Sequence, residues 1–165
     1  MTEMRKAGKG EITMAKILVV DDNIENLKAA INQLEPEHEV TTCGTASEAK
    51  ELIVSEKYDV VMTDVMMPGE RDGQGHKGQE HIGKLIPIGL VIALLALKHD
   101  VPNIYIVSDS NHHDHPIAWA MDSLNGGNRV KCLCGYECPM KDKTKDWKRS
   151  LNGKINDHKY GGFEI

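Results

Sequence analysis

Short apolar runs that alternate with helical patterns are the feature that most constrains the fold of this chain. The first run, ILVV at residues 17–20, is fully apolar and rich in β-branched residues, which is typical of a parallel strand buried on both faces. Apolar residues then recur at helical spacing from Ile24 to Leu34, as they do along one stripe of an amphipathic helix. The alternation continues, with further predicted strands at residues 38–44, 59–63, 103–107 and 129–134 and a helical pattern after each.

This alternation predicts an α/β fold, with a five-stranded parallel sheet and helices on both of its faces. We expect the packed domain to span residues 15–156, between a flexible N-terminal leader at residues 1–14 and a mobile tail at residues 157–165. A segment rich in glycine and charge, at about residues 70–86, interrupts the pattern after the third strand. We expect it to be an inserted loop, since compact domains rarely carry so long a connection without a reason.

Composition and charge argue against several classes of partner and location. The net charge of −5 and the aromatic content of 4% are unlike a nucleic-acid-binding surface, which is normally basic and often carries stacking aromatics. The longest apolar run, residues 85–97, is broken by Pro87 and Gly89 and is shorter than the roughly 20 residues of a membrane span. No signal peptide is visible, and the four cysteines are too few and too clustered for a secreted disulfide scaffold. We therefore expect a cytoplasmic protein with no nucleic-acid or membrane partner.

Polar oxygen groups follow three of the predicted strands. Asp21 and Asp22 come after the first strand, Asp64 after the third, and Ser108 with Asp109 after the fourth. In open α/β sheets ligands bind just beyond the carboxyl ends of the strands, so these groups would share one crevice if the strands are neighbours. Carboxylates at close range repel one another unless a cation lies among them, and Mg²⁺ prefers oxygen ligands. The sequence thus predicts an acidic Mg²⁺ pocket with a hydroxyl at its edge.

Three motifs of this pocket carry a family resemblance. The stretches KILVVDDN, DVVMTDVMMPG and IYIVSD resemble the receiver domain of two-component response regulators, over about residues 16–156. The resemblance implies the CheY-like, flavodoxin-like arrangement of the sheet, with strand order 2-1-3-4-5. It also implies a divergent single-domain member of the family, because only about 30 residues follow the fifth strand.

The resemblance implies a role for each motif residue. Asp64 would be the phosphoacceptor, a carboxylate nucleophile that forms an aspartyl phosphate. Asp22 would bind Mg²⁺ directly, Asp21 would act nearby through water, and the backbone carbonyl of Met66 would be a further ligand. Ser108 would be the switch hydroxyl that hydrogen-bonds the phosphoryl group. The donor would be a histidine kinase or phosphotransfer protein, and the signal would pass to an unknown downstream protein. Enzymatic activity would be limited to autophosphorylation and autodephosphorylation.

The chain also departs from the family pattern. Receivers usually carry a Lys-Pro pair at the end of the fifth strand, whereas this region reads RVKCLCGYECP, in which Lys131 is a tentative equivalent without a proline. The residue after the switch hydroxyl is usually small, but here it is Asp109. The insertion at residues 70–86 begins shortly after Asp64, at the end of the third strand. Two interpretations stay open for it: a lid over the pocket or a surface loop.

Two further clusters raise the question of a transition metal. Imidazoles at the mouth of the crevice suit Zn²⁺, Ni²⁺ or Cu²⁺, but they would equally offset the acidic charge, sense pH or cap the next helix. The thiols have C-x-C-x₃-C spacing, which is unlike that of closed zinc sites and favours reduced, partly buried cysteines. The first cluster consists of His112, His113, Asp114 and His115, and the second of Cys132, Cys134 and Cys138.

Two other functions compete with the phosphoacceptor interpretation. One is a divergent receiver-like module that binds a metal or small molecule and is never phosphorylated, which the missing Lys-Pro pair and Asp109 favour. The other is a phosphohydrolase with a D-x-D nucleophile strand, which Met66 disfavours because it occupies the position of the second aspartate. The intact Asp pair and the DVMMPG motif favour the receiver.

Overall fold

The computed structural model describes residues 14–71, 75–110, 115–125, 127 and 129–152. The expected leader at residues 1–14, apart from Met14, and the expected tail lie outside these ranges. The strands are β1 (Lys16–Val20), β2 (Glu39–Cys43), β3 (Val60–Thr63), β4 (Met67–Pro68), β5 (Leu85–Ile86), β6 (Asn103–Ser108), β7 (Val130–Cys134), β8 (Met140–Lys141) and β9 (Thr144–Lys145). The α-helices are α1 (Ile24–Leu34), α2 (Ala46–Ser55), α3 (Ile88–Lys98), α4 (Ala118–Leu124) and α5 (Trp147–Leu151).

The main sheet has five parallel strands in the order β2-β1-β3-β6-β7. This is the predicted 2-1-3-4-5 order, because β6 and β7 are the fourth and fifth of the strands expected from the sequence. Strands β1, β3 and β6 are adjacent, with Val20 in register with Thr63 and Thr63 in register with Ile106. The polar residues that follow these three strands therefore emerge side by side at the carboxyl edge of the sheet.

Helices cover both faces of this sheet, as predicted. Alternate residues of a strand point to opposite faces, and at residues 17–20 of β1 both sets are apolar. Leu18 and Val20 belong to the core that α2, α3 and α4 complete, while Ile17 and Val19 belong to the core beneath α1 and α5. The β1 run is fully buried for this reason. No α-helix within the described ranges is both long and apolar enough to cross a bilayer.

Local capping explains where most of the helices begin. The Asn23 side chain accepts a hydrogen bond from the backbone N–H of Glu25 at 3.0 Å, and the Thr45 hydroxyl accepts one from Glu48 at 3.3 Å. The His115 imidazole does not cap α4, because this helix begins at Ala118 and its N-cap position is Ile117. The His115 Nδ1 atom instead accepts the N–H of Ile117 at 3.3 Å, in the turn before the helix.

The insertion after β3 has regular structure where it is described. Strands β4 and β5 pair antiparallel, and a 3₁₀ turn (Gly78–His81) lies between them. The Glu70 carboxylate accepts the backbone N–H of Ser47 at 2.9 Å, which ties the insertion to the first turn of α2. The expected inserted loop thus contains a 3₁₀ turn and contributes one strand of a small two-stranded sheet. Residues 72–74 lie outside the described residues, and the lid and the surface loop both remain predictions.

A second small sheet separates β7 from the last helix. Strands β8 and β9 form an antiparallel hairpin whose turn residues, Asp142 and Lys143, have positive φ angles of 52° and 66°. The Asp146 side chain then accepts the N–H of Arg149 at 3.0 Å and caps α5. The hairpin carries the chain back to the carboxyl edge of the main sheet before α5 begins.

Candidate acidic metal and phosphoryl site

Three carboxylates meet at the carboxyl edge of the sheet. One oxygen each of Asp21, Asp22 and Asp64 lies within 4.8 Å of the other two. The sheet holds their backbones in place, because Asp64 N donates to Val20 O at 2.9 Å and Asp21 N donates to Cys43 O at 3.2 Å. Asp21 and Asp64 are buried, whereas Asp22 is exposed. The predicted convergence of these three residues is confirmed.

A buried lysine bridges two of the carboxylates. The Lys145 ammonium, with 1% of its side chain exposed, forms an ion pair with Asp21 and lies 3.3 Å from Asp64 Oδ2. Its Nζ atom is also 5.4 Å from the centroid of the Trp147 ring. An ammonium that is buried and flanked by two carboxylates is held in one position and offers a fixed positive charge to an anion at Asp64.

Hydrogen bonds orient the two buried carboxylates. Asp21 accepts the backbone N–H of Asn23 at 2.9 Å and the Asn26 side-chain amide at 3.2 and 3.3 Å. Asp64 accepts the backbone N–H of Val65 at 2.7 Å and the Ser108 hydroxyl. Ser108 therefore lies beside Asp64, as the switch-hydroxyl prediction requires.

Burial and mutual repulsion disturb the titration of these groups. Burial, with a further contribution from Asp21, raises the pKa of Asp64 to about 6, against the opposing effect of Lys145. Burial followed by the charge of Asp21 also raises the pKa of Asp22. Burial alone would lower the pKa of Lys145, but Asp64 and Asp21 together hold it above its usual value. The single positive charge of Lys145 thus does not neutralise all three carboxylates of the site.

The residues present fit a hard divalent cation. Their carboxylate oxygens are close enough to share one ion, Asp22 is open to solvent, and the excess negative charge favours a cation. Mg²⁺ also retains several waters, which an exposed rim permits. Met66 lies in the turn between β3 and β4, and its carbonyl as a ligand stays a prediction. Asp109 is exposed, beside the buried Ser108.

The structure does not bring Lys131 to this site. Lys131 lies in mid-strand on β7, in register with Tyr105, and its ammonium is 5.7 Å from the centroid of the Tyr105 ring. Its side chain is exposed, and the neighbouring Cys132, which points to the opposite face, is buried. The tentative placement of Lys131 in the pocket is corrected to Lys145.

Sequence reasoning missed Lys145 because it sought a Lys-Pro pair directly after the fifth strand. Here the β8–β9 hairpin intervenes, and Asp146 rather than proline follows the lysine. The stretch TKDW contains a signal that could have found it. Lys145 immediately precedes Asp146, an aspartate at the N-cap position of the last helix. This signal was hidden because the β8–β9 hairpin lengthens the interval between Ser108 and Lys145.

Of the two other clusters, the structure describes the three thiols but only His115 of the imidazole group. Among the residues that the structure describes, the one group of three or more His, Cys, Asp or Glu side chains close enough to share an ion is the acidic triad. All four cysteines are free and buried, so the thiol interpretation is favoured for Cys132, Cys134 and Cys138. His112, His113 and Asp114 lie outside the described residues.

We predict that the cysteines of the native protein resist alkylation. Burial raises the pKa of the Cys43, Cys132 and Cys138 thiols to about 12, and it raises the pKa of Cys134 further. The reactive thiolate is therefore scarce at neutral pH. With iodoacetamide at pH 7.5, intact mass should show little adduct on the native protein and four adducts in guanidinium. Rapid modification of any native thiol would contradict this placement.

Comparison with known proteins agrees with this architecture. The family model described as the response regulator receiver domain matches residues 17–114. The two-component response regulator ARR11 of Arabidopsis thaliana is 38% identical over an alignment of 149 residues, and the match covers 81% of this chain and 27% of that protein. The chain therefore spans about a quarter of that relative's length.

Solved structures with similar folds include chemotaxis response regulator CheY4 of Vibrio cholerae, at 19% identity and a TM-score of 0.50. The match covers 74% of this chain and 87% of CheY4. Response regulator TrrA of Thermotoga maritima, in complex with Mg²⁺ and BeF, has 24% identity and a TM-score of 0.49, over 72% of this chain and 86% of TrrA. With the family model matching more than half of its residues, the chain belongs to the response regulator receiver family of two-component systems.

Proposed function

We propose that this receiver accepts a phosphoryl group on Asp64 from a histidine kinase or phosphotransfer protein. The contacts of the Asp64 carboxylate are the observation that supports this proposal best. This carboxylate ends a buried strand, touches the Lys145 ammonium at 3.3 Å and accepts the Ser108 hydroxyl. Two donors therefore already converge on the oxygens to which a phosphoryl group would be attached.

These contacts support a direct transfer of the phosphoryl group to Asp64. A carboxylate oxygen of Asp64 forms the new bond to phosphorus while the bond from phosphorus to the donor's histidine nitrogen breaks, and that nitrogen keeps the electron pair. With a pKa of about 6, most of Asp64 is ionised at neutral pH and able to attack. Lys145 and Ser108 then donate to the phosphoryl oxygens. Mg²⁺ held by Asp21, Asp22, Asp64 and the Met66 carbonyl would, when bound, offset the charge of the phosphoryl group.

The role of the phosphorylated domain would be signalling rather than turnover of a substrate. Phosphorylation adds charge at the carboxyl edge of the sheet and draws Ser108 and Lys145 toward the new oxygens. Such a local electrostatic change biases a packed domain between two arrangements, which a downstream protein can distinguish. Catalysis would be limited to the domain's own phosphorylation and dephosphorylation.

Phosphorylation of the purified protein should depend on Asp64. With acetyl phosphate and Mg²⁺, we expect the intact mass to increase by one phosphoryl group, since a small donor needs only the acceptor's own pocket. Asp64→Asn removes the nucleophile and should abolish the gain, and EDTA should prevent it in the wild type. Intact-mass spectrometry at neutral pH measures both.

The matched control is Asp100→Asn. Asp100 is an exposed aspartate with a φ of 59°, a conformation that asparagine tolerates well, so this variant should be phosphorylated like the wild type. A wild-type protein that gains no phosphoryl group, or an Asp64→Asn protein that still gains one, would contradict the proposal.

Asp109 keeps a second function open, that of a metal- or small-molecule-binding receiver that is not phosphorylated. This exposed carboxylate comes directly after the switch hydroxyl and contributes to the raised pKa of Asp22, after burial and Asp21. It would repel an incoming phosphoryl group but attract a cation. Saturable Mg²⁺ binding in calorimetry, together with no phosphoryl gain, would favour this function over the first. The position of Lys145 beside Asp64 weakens the other argument for it, the missing Lys-Pro pair, because a lysine is present although Asp146 rather than proline follows it.

A further inference from the structure

Lys145 reaches the acidic site from an element outside the main sheet. Strand β9 has two residues and pairs with β8 in a separate two-stranded sheet. A two-stranded hairpin on its own is only marginally stable in water. The position of the buried ammonium therefore depends on the other contacts that hold the backbone around Lys145.

Helix α1 supplies that support through two amide side chains. The Asn26 Oδ1 atom accepts the backbone N–H of Lys145 at 3.1 Å, and the Gln33 Nε2 atom donates to the Lys145 carbonyl at 3.2 Å. Both backbone groups of the lysine are thus bound by side chains two helical turns apart on one face of α1.

The same two residues also hold the chain directly after the lysine. Gln33 Oε1 accepts the backbone N–H groups of Trp147 at 2.7 Å and Lys148 at 3.2 Å. The Trp147 indole N–H donates to the Asn26 carbonyl at 2.8 Å, and that tryptophan is fully buried. A single glutamine side chain therefore joins the end of β9 to the start of α5.

From these contacts we infer that Gln33 is a positioning residue, which sets the placement of the Lys145 ammonium from outside the acidic site. Gln33 is bonded to the backbone at Lys145, Trp147 and Lys148, while Asn26 contacts Asp21 directly. Without Gln33, the Lys145 carbonyl and the backbone after it lose their bonds to α1 and only the Asn26 contacts remain, so the ammonium is held less firmly between Asp21 and Asp64. The effect on phosphoryl transfer rests on the proposed function, whereas the placement of the ammonium does not.

The ammonium itself provides the test. In a ¹⁵N-labelled protein, a buried ammonium that is bonded to carboxylates exchanges slowly with water, and we expect the Lys145 side-chain signal to be visible. Its absence in Lys145→Met assigns it. Gln33→Met keeps the length of the side chain but loses all three hydrogen bonds, and we expect exchange to become faster by about tenfold or more, the equivalent of one lost hydrogen bond.

Two further variants separate positioning from general damage. Asn32→Ala changes the neighbouring exposed residue of α1, and its ammonium signal should match the wild type. Gln33→Glu keeps the acceptor for Trp147 and Lys148 but not the donor to Lys145, so exchange should be intermediate. If Gln33→Met fails to fold, the exchange rate of the ammonium in Gln33→Glu tests the positioning role instead.

An ammonium signal with unchanged shift and exchange in the Gln33 variants would overturn the inference, as would the absence of the signal from the wild type. The rate of phosphorylation by acetyl phosphate should fall about tenfold in Gln33→Met and stay unchanged in Asn32→Ala. If the wild type is not phosphorylated at all, the proposed function fails, yet the ammonium signal still decides whether Gln33 positions Lys145.

Discussion

Lys145→Met should lower the free energy of unfolding by about 3–5 kcal/mol at pH 8 and low ionic strength. The variant removes the ammonium that contacts both Asp21 and Asp64 and leaves two buried carboxylates facing each other. Loss of one partner from a buried ion pair is costly because the remaining charge is neither solvated nor compensated. Denaturant unfolding followed by circular dichroism measures the change.

The pH dependence of this loss has a definite sign. Burial already raises the pKa of Asp64 to about 6 in the wild type, and removal of Lys145 takes away an influence that lowers this pKa. A native carboxyl whose pKa lies above its unfolded value destabilises the fold increasingly as pH rises through that range. The loss should therefore be smaller at pH 5, where Asp64 of the variant is protonated, than at pH 8.

Lys141→Met is the matched control for this prediction. Lys141 lies on the same hairpin but is exposed, so its replacement should change the free energy of unfolding by less than about 0.5 kcal/mol. Equal losses in the two variants would show that the hairpin, rather than the ion pair, carries the effect. A Lys145→Met protein as stable as the wild type would contradict the buried bridge.

Gly89→Ala should both destabilise the protein and displace the backbone at Asp64. A Cβ atom at Gly89, in the first turn of α3, would lie 1.7 Å from the Asp64 carbonyl oxygen and 2.8 Å from the Val65 Cα atom. Neither backbone can yield without movement of α3 or of the turn after β3. We expect a loss of at least about 1–3 kcal/mol in denaturant unfolding, as for overpacked cores, and slower phosphorylation of Asp64.

Gly44→Ala is the control for the glycine change. Its added Cβ would meet the Asp21 carbonyl oxygen at 3.7 Å, which is ordinary van der Waals contact at the same edge of the sheet. This variant should unfold and be phosphorylated much like the wild type. A Gly89→Ala protein with wild-type stability would mean that α3 does not approach the Asp64 backbone so closely.

The sequence predicts the main sheet and its acidic edge well because both depend on local patterns. Fully apolar runs such as residues 17–20 are typical of buried strands, and parallel pairing places Asp21 and Asp64 at one edge. Thr45 and Glu48 have the T-x-x-E spacing of a capping box, and the Thr45 hydroxyl does accept the N–H of Glu48. In each case, the residues that determine the structure lie within one element or its immediate flank.

The lysine and the insertion resist prediction for the opposite reason. Lys145 reaches Asp21 through a hairpin whose place depends on Asn26 and Gln33, more than a hundred residues earlier in the chain. No local sequence pattern predicts a contact between residues so far apart in the chain. The pairing of β4 with β5 is equally hidden, because a Gly-rich, charged stretch between two-residue strands has the composition of a loop.

Beryllofluoride binding, followed by amide NMR, tests most directly whether Asp64 is the phosphoacceptor in a pocket completed by Lys145. In the presence of Mg²⁺, we predict shifts centred on Asp64, Val65, Ser108 and Lys145, and a changed signal from the Lys145 ammonium. Asp64→Asn and EDTA should each remove these shifts, whereas Asp100→Asn should not. A wild-type spectrum without changes at these residues, or one whose changes persist in Asp64→Asn, would contradict a phosphoacceptor role for Asp64.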